Sequence, residues 1–103
     1  MPITVIAPTI LSKDPTEYKA IVKKYYGFAK RVHIDVSDGS LTSNTTVPTG
    51  AVWWPKGWTT DIHMITATPS KHVDTLIKLH PNLVIFHAEA KEDLLPIFKQ
   101  LKD

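Results

Sequence analysis

The feature that most constrains the fold of this chain is a regular alternation of short β-branched runs with longer amphipathic runs. Four runs rich in Val, Ile and Thr are typical of strands, and each is followed by a helix or a helix-like connection. Such alternation requires parallel strands joined by right-handed crossovers. The predicted strands are Ile3–Ala7, Arg31–Val36, Thr60–Ile65 and Leu83–His87.

The length of the repeat indicates which parallel fold this is. One strand–helix unit takes about 26–28 residues, close to one unit of a (β/α)8 barrel, in which about 250 residues make eight units. A chain of 103 residues has room for four. The sequence therefore predicts an α/β fold, a half TIM barrel of (βα)4 topology, as a single domain over residues 1–103.

The helix boundaries carry their own signals. Asp14 can cap the first helix, Pro15 suits its first position, and Glu17 stands three residues after the cap, as in a capping box. Between residues 48 and 54 at most two helical turns fit, and Pro96 lies early enough in the last helix to shift its start. The predicted helices cover residues 14–27, 68–81 and 92–101.

A half barrel leaves two strand edges and one sheet face uncovered. Exposed parallel edges invite pairing with another chain, and the interior of a closed eight-stranded barrel is filled by side chains from all its strands. We therefore expect two copies to associate about a twofold axis, the first strand of each pairing with the fourth strand of the other. This homodimer, or a higher homo-oligomer built on it, would complete a (β/α)8-like barrel.

Composition narrows the classes of partner and compartment. Twelve Lys plus Arg against ten Asp plus Glu leave a net charge of +2, dispersed along the chain, so we expect neither nucleic acid nor a membrane as partner. The absence of Cys excludes disulfides, thiol nucleophiles and Cys-based zinc sites. With no long apolar run and no basic segment at residues 1–4, we expect a cytoplasmic protein.

Ionisable side chains cluster on two of the predicted strands. His33 and Asp35 alternate with apolar residues on the second strand, and Asp61 and His63 do so on the third. Each pair therefore lies on the sheet face that the helices leave open, toward the end where α/β folds bind ligands. Two imidazoles and a carboxylate, from His33, Asp35 and His63, suit a divalent metal such as Zn, Fe or Mn. The alternative is that these histidines are hydrogen-bonded residues of the interior.

Five short segments, in order along the chain, carry a resemblance to a known family. Residues 6–12 (IAPTILS) resemble the motif A-P-S-I-L-S, and residues 32–39 (VHIDVSDG) resemble H-x-D-V-M-D-G. Asn44 stands where a segment F-V-P-N ends. Residues 61–65 (DIHMI) and 86–90 (FHAEA) are similar to D-x-H-L-M and F-H-x-E-A. All five motifs are those of the ribulose-phosphate 3-epimerases.

The resemblance implies a TIM barrel and an isomerase of pentose phosphate metabolism. It implies that His33, Asp35 and His63 hold a divalent metal and that Asp35 is also a catalytic acid/base for proton abstraction at C3 of a ketopentose phosphate. Thr9 stands for the family's substrate-contacting Ser, and Asn44 and His87 fall in motifs from which we also expect substrate contacts.

The family's second catalytic carboxylate and its phosphate-binding glycine loops belong to strands beyond the fourth, so we expect weak epimerase activity from this chain. One alternative is a non-catalytic half-barrel, truncated or designed, that self-associates. Another is a subunit that needs a different, complementary half.

Overall fold

The computed structural model describes residues 7–102, in which each parallel strand is followed by an α-helix, except that the second strand is followed only by a 3₁₀ turn. Two 3₁₀ turns, Thr49–Ala51 and Pro69–His72, lie in the connections. No helix within residues 7–102 has the length and apolar character needed to cross a bilayer. The strands are β1 (Thr9–Ile10), β2 (Arg31–Ser37), β3 (Thr59–Ile65) and β4 (Leu83–Phe86), and the helices are α1 (Pro15–Tyr26), α2 (Val73–Leu79) and α3 (Leu95–Lys102).

The strands form one parallel sheet in chain order, β1-β2-β3-β4. Each strand therefore pairs with the next one along the chain, as in consecutive units of a (β/α)8 barrel. The register places His33 beside Thr9 and Asp35 beside His63. The predicted α/β class with parallel strands is confirmed, and the architecture is consistent with half of a TIM barrel.

The core lies between the sheet and the helices. On β2 and β3 the residues that point toward the helices, such as Val32, Ile34 and Ile62, are almost completely buried. They pack with Tyr18 and Val22 of α1 in one apolar cluster. The predicted alternation of faces along β2 is confirmed, because His33 and Asp35 lie between these positions and are only half-buried.

The opposite face of the sheet is open and partly apolar. On β4, Leu83 is 45% exposed and Ile85 is 36% exposed. Leu83 pairs with Asp61 and Ile85 pairs with His63, so both leucine and isoleucine share the face that carries the polar residues of β3. Large apolar side chains are thus left uncovered next to ionisable ones.

The start of α1 follows the prediction in part. The carboxylate of Asp14 accepts a hydrogen bond from the Thr16 amide at 3.0 Å, and Pro15 is the first helical residue, which confirms the cap. The Asp14 amide, which a capping-box Glu17 would bind, instead donates to Oγ of Ser12 at 3.3 Å. Ser12 is the nearer acceptor because it lies two residues before the cap, and the side chain of Glu17 lines a cavity instead.

The first strand differs from its prediction. Residues 3–6, most of the predicted strand, lie outside the described residues, Ala7 is not part of a strand, and β1 occupies Thr9–Ile10, beyond Pro8. The Pro8 carbonyl accepts a hydrogen bond from the His33 amide at 2.9 Å. Proline lacks the backbone N–H donor but keeps its carbonyl acceptor, so Pro8 can pair with β2 through its carbonyl oxygen.

The later helices are shorter than predicted. The helix expected over residues 68–81 begins as the 3₁₀ turn and becomes α2 only at Val73, and it ends where His80 adopts a left-handed conformation with φ of 52°. α3 begins at Leu95 rather than Glu92, since the Asp93 carboxylate accepts from the Leu95 amide at 3.1 Å. β4 ends at Phe86, so His87 lies one residue past the strand.

Candidate metal centre

Three predicted ligands converge on the open face of the sheet. Nε2 of His33 lies 2.8 Å from Oδ1 of Asp35, and Nδ1 of His63 lies 3.2 Å from the same oxygen. Alternation along β2 places His33 and Asp35 on one face, and the register with β3 brings His63 alongside. These three residues are called the His–Asp–His trio below.

The trio has the spacing of a metal site. One ligating atom from each residue can be chosen so that all lie within 4.8 Å of one another. Ligands at about 2.1 Å from a tetrahedral zinc ion are about 3.4 Å apart, so both contacts to Asp35 are close to that separation. The side chains are 26%, 19% and 26% exposed, which leaves the site open to an ion and to a ligand. Two imidazoles and a carboxylate therefore fit Zn, Fe or Mn.

Asp61 lies on the same face but does not join the trio. Its carboxylate accepts from Nε of Arg31 at 3.0 Å and forms an ion pair with the same guanidinium at 2.9 Å. The side-chain amide of Asn82 donates to its other oxygen at 3.1 Å. Asp61 lies two residues before His63 and thus nearer the amino end of the strand, where it holds strands together.

His87 contacts the trio directly. Its Nε2 lies 2.8 Å from Nε2 of His63, and the two rings are nearly parallel, 17° apart, with centroids separated by 4.8 Å. On its other side, Nδ1 of His87 lies 3.4 Å from a carboxylate oxygen of Glu89. The structure therefore continues the trio into a chain of side chains that runs past the end of β4.

A cavity of about 590 Å³ opens beside these residues. Asp35, His63 and His87 line one part of it, and Asn44 of the loop after β2 lines another. Thr9 pairs with His33 on the edge strand and is exposed, and it is not among the lining residues. Of the predicted substrate contacts, Asn44 and His87 therefore face the cavity.

Several residues of this cavity belong to no motif from which a binding role was predicted. Lys13, in the loop between β1 and α1, and Thr42, in the loop after β2, both line it, as does Glu17, for which only a role in the helix cap was predicted. The available signal was position, since loops that follow the carboxyl ends of parallel strands carry the binding groups in this class of fold.

A second cleft, of about 450 Å³, lies between the loops after β2 and β3. Here Nδ1 of His72 contacts the Thr49 hydroxyl at 2.6 Å, and its Nε2 contacts Asp38 at 3.0 Å. The Thr66 hydroxyl donates to the same Asp38 oxygen at 2.6 Å. His72 thus joins the loops that border the metal centre.

The sequence model of the ribulose-phosphate 3 epimerase family matches residues 5–103 of this chain. That span includes all three residues of the trio and nearly the whole chain, which confirms the resemblance seen in the motifs. A comparison with curated proteins found no matching sequence.

Proposed function

We propose that this chain, which belongs to the ribulose-phosphate 3-epimerase family, is a metal-dependent isomerase. Its reaction would invert C3 of a ketopentose phosphate. The observation that carries the proposal is the convergence of His33, Asp35 and His63 beside a cavity large enough for a sugar phosphate.

The trio would hold the metal. Its donor set of two nitrogens and one oxygen favours Zn, Fe or Mn over Ca or Mg, which prefer oxygen ligands. When bound, such an ion supplies a Lewis acid that stabilises negative charge on the carbonyl and hydroxyl oxygens of the substrate.

Asp35 would be the catalytic acid/base. Asp35 lines the cavity, and its contacts with both histidines of the trio are made by Oδ1. Oδ2 can then take the proton from C3 as the enediolate forms, and proton return to the opposite face of that carbon completes the inversion. Because the trio contains a single carboxylate, we expect slow turnover from one copy of the chain.

The rest of the cavity supplies groups for the substrate. Asn44 can hydrogen-bond a sugar hydroxyl, His87 can contact the substrate with the face of its ring, and Thr9, beside His33 on the edge strand, is proposed as a further contact. Lys13 brings an ammonium group to the same cavity, and we assign it to the phosphate end of the substrate.

A second copy would cover the open face. The exposed Leu83 and Ile85 border the sheet edge of β4, where an unpaired strand can accept the first strand of another copy. In a twofold barrel the two Asp35 side chains would face each other across the lumen, and the second would provide the acid for the opposite face of the substrate. Sedimentation at micromolar concentration should give a dimer, and a well-folded monomer would contradict this part of the proposal.

The activity itself is tested by a coupled assay for conversion of D-ribulose 5-phosphate to D-xylulose 5-phosphate, with and without added zinc, manganese or iron. We expect slow, metal-dependent turnover that Asp35→Asn abolishes. Asp74→Asn, which neutralises an exposed carboxylate on α2, is the matched control and should leave the rate unchanged.

A chain that dimerises and binds metal without any turnover would instead support the non-catalytic half-barrel. The expectation that the protein is cytoplasmic remains a prediction, which fractionation of the cells that make it would check.

A further inference from the structure

The contact between His63 and His87 restricts where their hydrogens lie. Their Nε2 atoms are 2.8 Å apart. Two imidazole nitrogens at that distance are stable as one donor and one acceptor, because two lone pairs or two N–H groups would repel. The contact therefore has a direction, and the surrounding groups determine it.

Glu89 favours one direction. Its carboxylate can only accept, and it lies 3.4 Å from Nδ1 of His87. A neutral His87 meets that carboxylate best with its hydrogen on Nδ1, which leaves a lone pair on Nε2. In that arrangement His63 donates from its own Nε2 to His87, whereas Asp35, at 3.2 Å from Nδ1 of His63, favours the opposite arrangement as long as no cation lies between them.

This direction fixes the tautomer of His63. With its hydrogen on Nε2, a neutral His63 has a lone pair on Nδ1, the atom that lies 3.2 Å from Oδ1 of Asp35. A lone pair and a carboxylate oxygen repel at that distance unless a cation lies between them. The opposite direction would place a hydrogen on Nδ1 of His63 and would turn a lone pair of His87 toward Glu89.

We propose that His87 and Glu89 are positioning residues that hold His63 in the tautomer that binds a metal through Nδ1. The inference rests on the proposed function, since it takes the His–Asp–His trio to be the metal site. It engages both ring nitrogens of His87, which leaves the face of the ring for any contact with substrate. Metal-bound histidines commonly donate their other ring N–H to a partner of this kind, and loss of that partner typically weakens metal binding about 10–100-fold.

The two positioning residues should contribute unequally. The His87 side chain is 32% exposed and contacts His63 directly, whereas the Glu89 side chain is 72% exposed and acts through His87. Water can replace the Glu89 carboxylate as the acceptor for the hydrogen on Nδ1 of His87. We therefore expect the larger loss from removal of the His87 ring.

A titration with Co²⁺, followed by its visible absorption, tests the proposal. We expect His87→Ala to weaken Co²⁺ binding about 10-fold or more and Glu89→Gln about threefold, with a changed absorption spectrum for His87→Ala. His87→Gln, whose amide oxygen can accept from His63, should recover most of the affinity. His80→Gln and Asp74→Asn, which change exposed residues away from the trio, are the controls and should bind as the wild type does.

Long-range ¹H–¹⁵N spectra of the wild-type chain loaded with Zn²⁺ give a test that needs no variant. The expected result is a hydrogen on Nε2 of His63 and zinc on Nδ1, and a hydrogen on Nδ1 would overturn the inference. If the wild type binds metal but the His87 and Glu89 variants bind it equally well, the positioning role is wrong and the proposed function stands. If the wild type binds neither ion, both fail.

Discussion

Replacement of Asp38 by asparagine should destabilise the loops that border the candidate site, in a way that depends on pH. Asp38 follows β2, and its carboxylate accepts from the Ser40 amide at 3.0 Å, from Thr66 at 2.6 Å and from His72 at 3.0 Å. Partial burial raises the pKa of Asp38, but the hydrogen bonds from Ser40, Thr66 and His72 together outweigh it and hold the pKa well below its ordinary value.

The magnitude follows from the bonds that asparagine cannot keep. An amide NH₂ in place of one carboxylate oxygen would face donors rather than acceptors, so the contacts of that oxygen are lost. Hydrogen bonds to a charged group contribute about 1.5–3 kcal/mol each. The side chain of Asp38 is partly exposed, so solvent screening lowers this. We expect Asp38→Asn to reduce the free energy of unfolding by about 2 kcal/mol at pH 7.

The pH dependence has a definite sign. Because the pKa of Asp38 is lower in the folded chain than the value of about 3.9 in the unfolded chain, its contribution is complete above pH 5 or so and is lost as pH falls below about 4. The wild type and Asp38→Asn should therefore converge in stability toward pH 2, since the variant lacks this titration.

Urea unfolding at fixed protein concentration, at pH 7 and near pH 3, measures both effects. Asp74→Asn serves as the control for loss of a carboxylate. A difference below about 0.5 kcal/mol at pH 7, or an equal difference at both pH values, would refute the reasoning, because neither fits a carboxylate held by charge-assisted bonds.

Three further substitutions probe separate parts of the molecule. Tyr18→Phe should lower the free energy of unfolding, measured in urea, by about 1–2 kcal/mol, because the buried hydroxyl donates to the Trp53 carbonyl and accepts from the Trp53 amide at 3.2 Å. An unchanged urea midpoint would show that these bonds contribute nothing. Lys13→Gln should weaken the affinity for D-ribulose 5-phosphate, measured by calorimetry, about fivefold to tenfold if Lys13 binds the phosphate. Lys56→Gln should leave the affinity unchanged, and equal affinities of the two variants would remove Lys13 from the site. His80→Gly should raise the thermal midpoint by the equivalent of about 0.5–1 kcal/mol, because φ of residue 80 is 52° and glycine adopts that conformation without strain. A lower midpoint would mean that the imidazole itself stabilises the turn.

The sheet face on which each side chain of a strand lies was predictable from the sequence, because successive side chains along a strand point to opposite faces. Val32 and Ile34 pack against the helices and His33 and Asp35 do not, as the spacing of two residues requires. The approach of His63 to Asp35 followed from parallel pairing of successive strands. Periodicity and strand order together were enough to assemble the His–Asp–His trio.

The partners of Asp61 and His87 were not predictable in the same way. Asp61 has the strand position of an inward polar residue, but its distance from the end of β3 brings it to Arg31 and Asn82 instead. His87 lies one residue past β4, where alternation no longer determines direction, so its contact with His63 depends on the course of a loop.

The contact between Asp38 and His72 joins residues 34 positions apart in two different loops. Loop conformations depend on such long-range hydrogen bonds and on local backbone angles, and no periodic pattern in the sequence records either.

Zinc retained by the purified chain after equilibrium dialysis tests the whole account most directly. The wild type should keep about one equivalent of Zn²⁺ per chain at micromolar free metal, and His33→Ala should bind Zn²⁺ at least 10-fold more weakly. His80→Gly, which also removes one imidazole, is the control and should retain as much Zn²⁺ as the wild type. Equal zinc content in the wild type and His33→Ala would mean that the convergence of these side chains on β2 and β3 serves no metal.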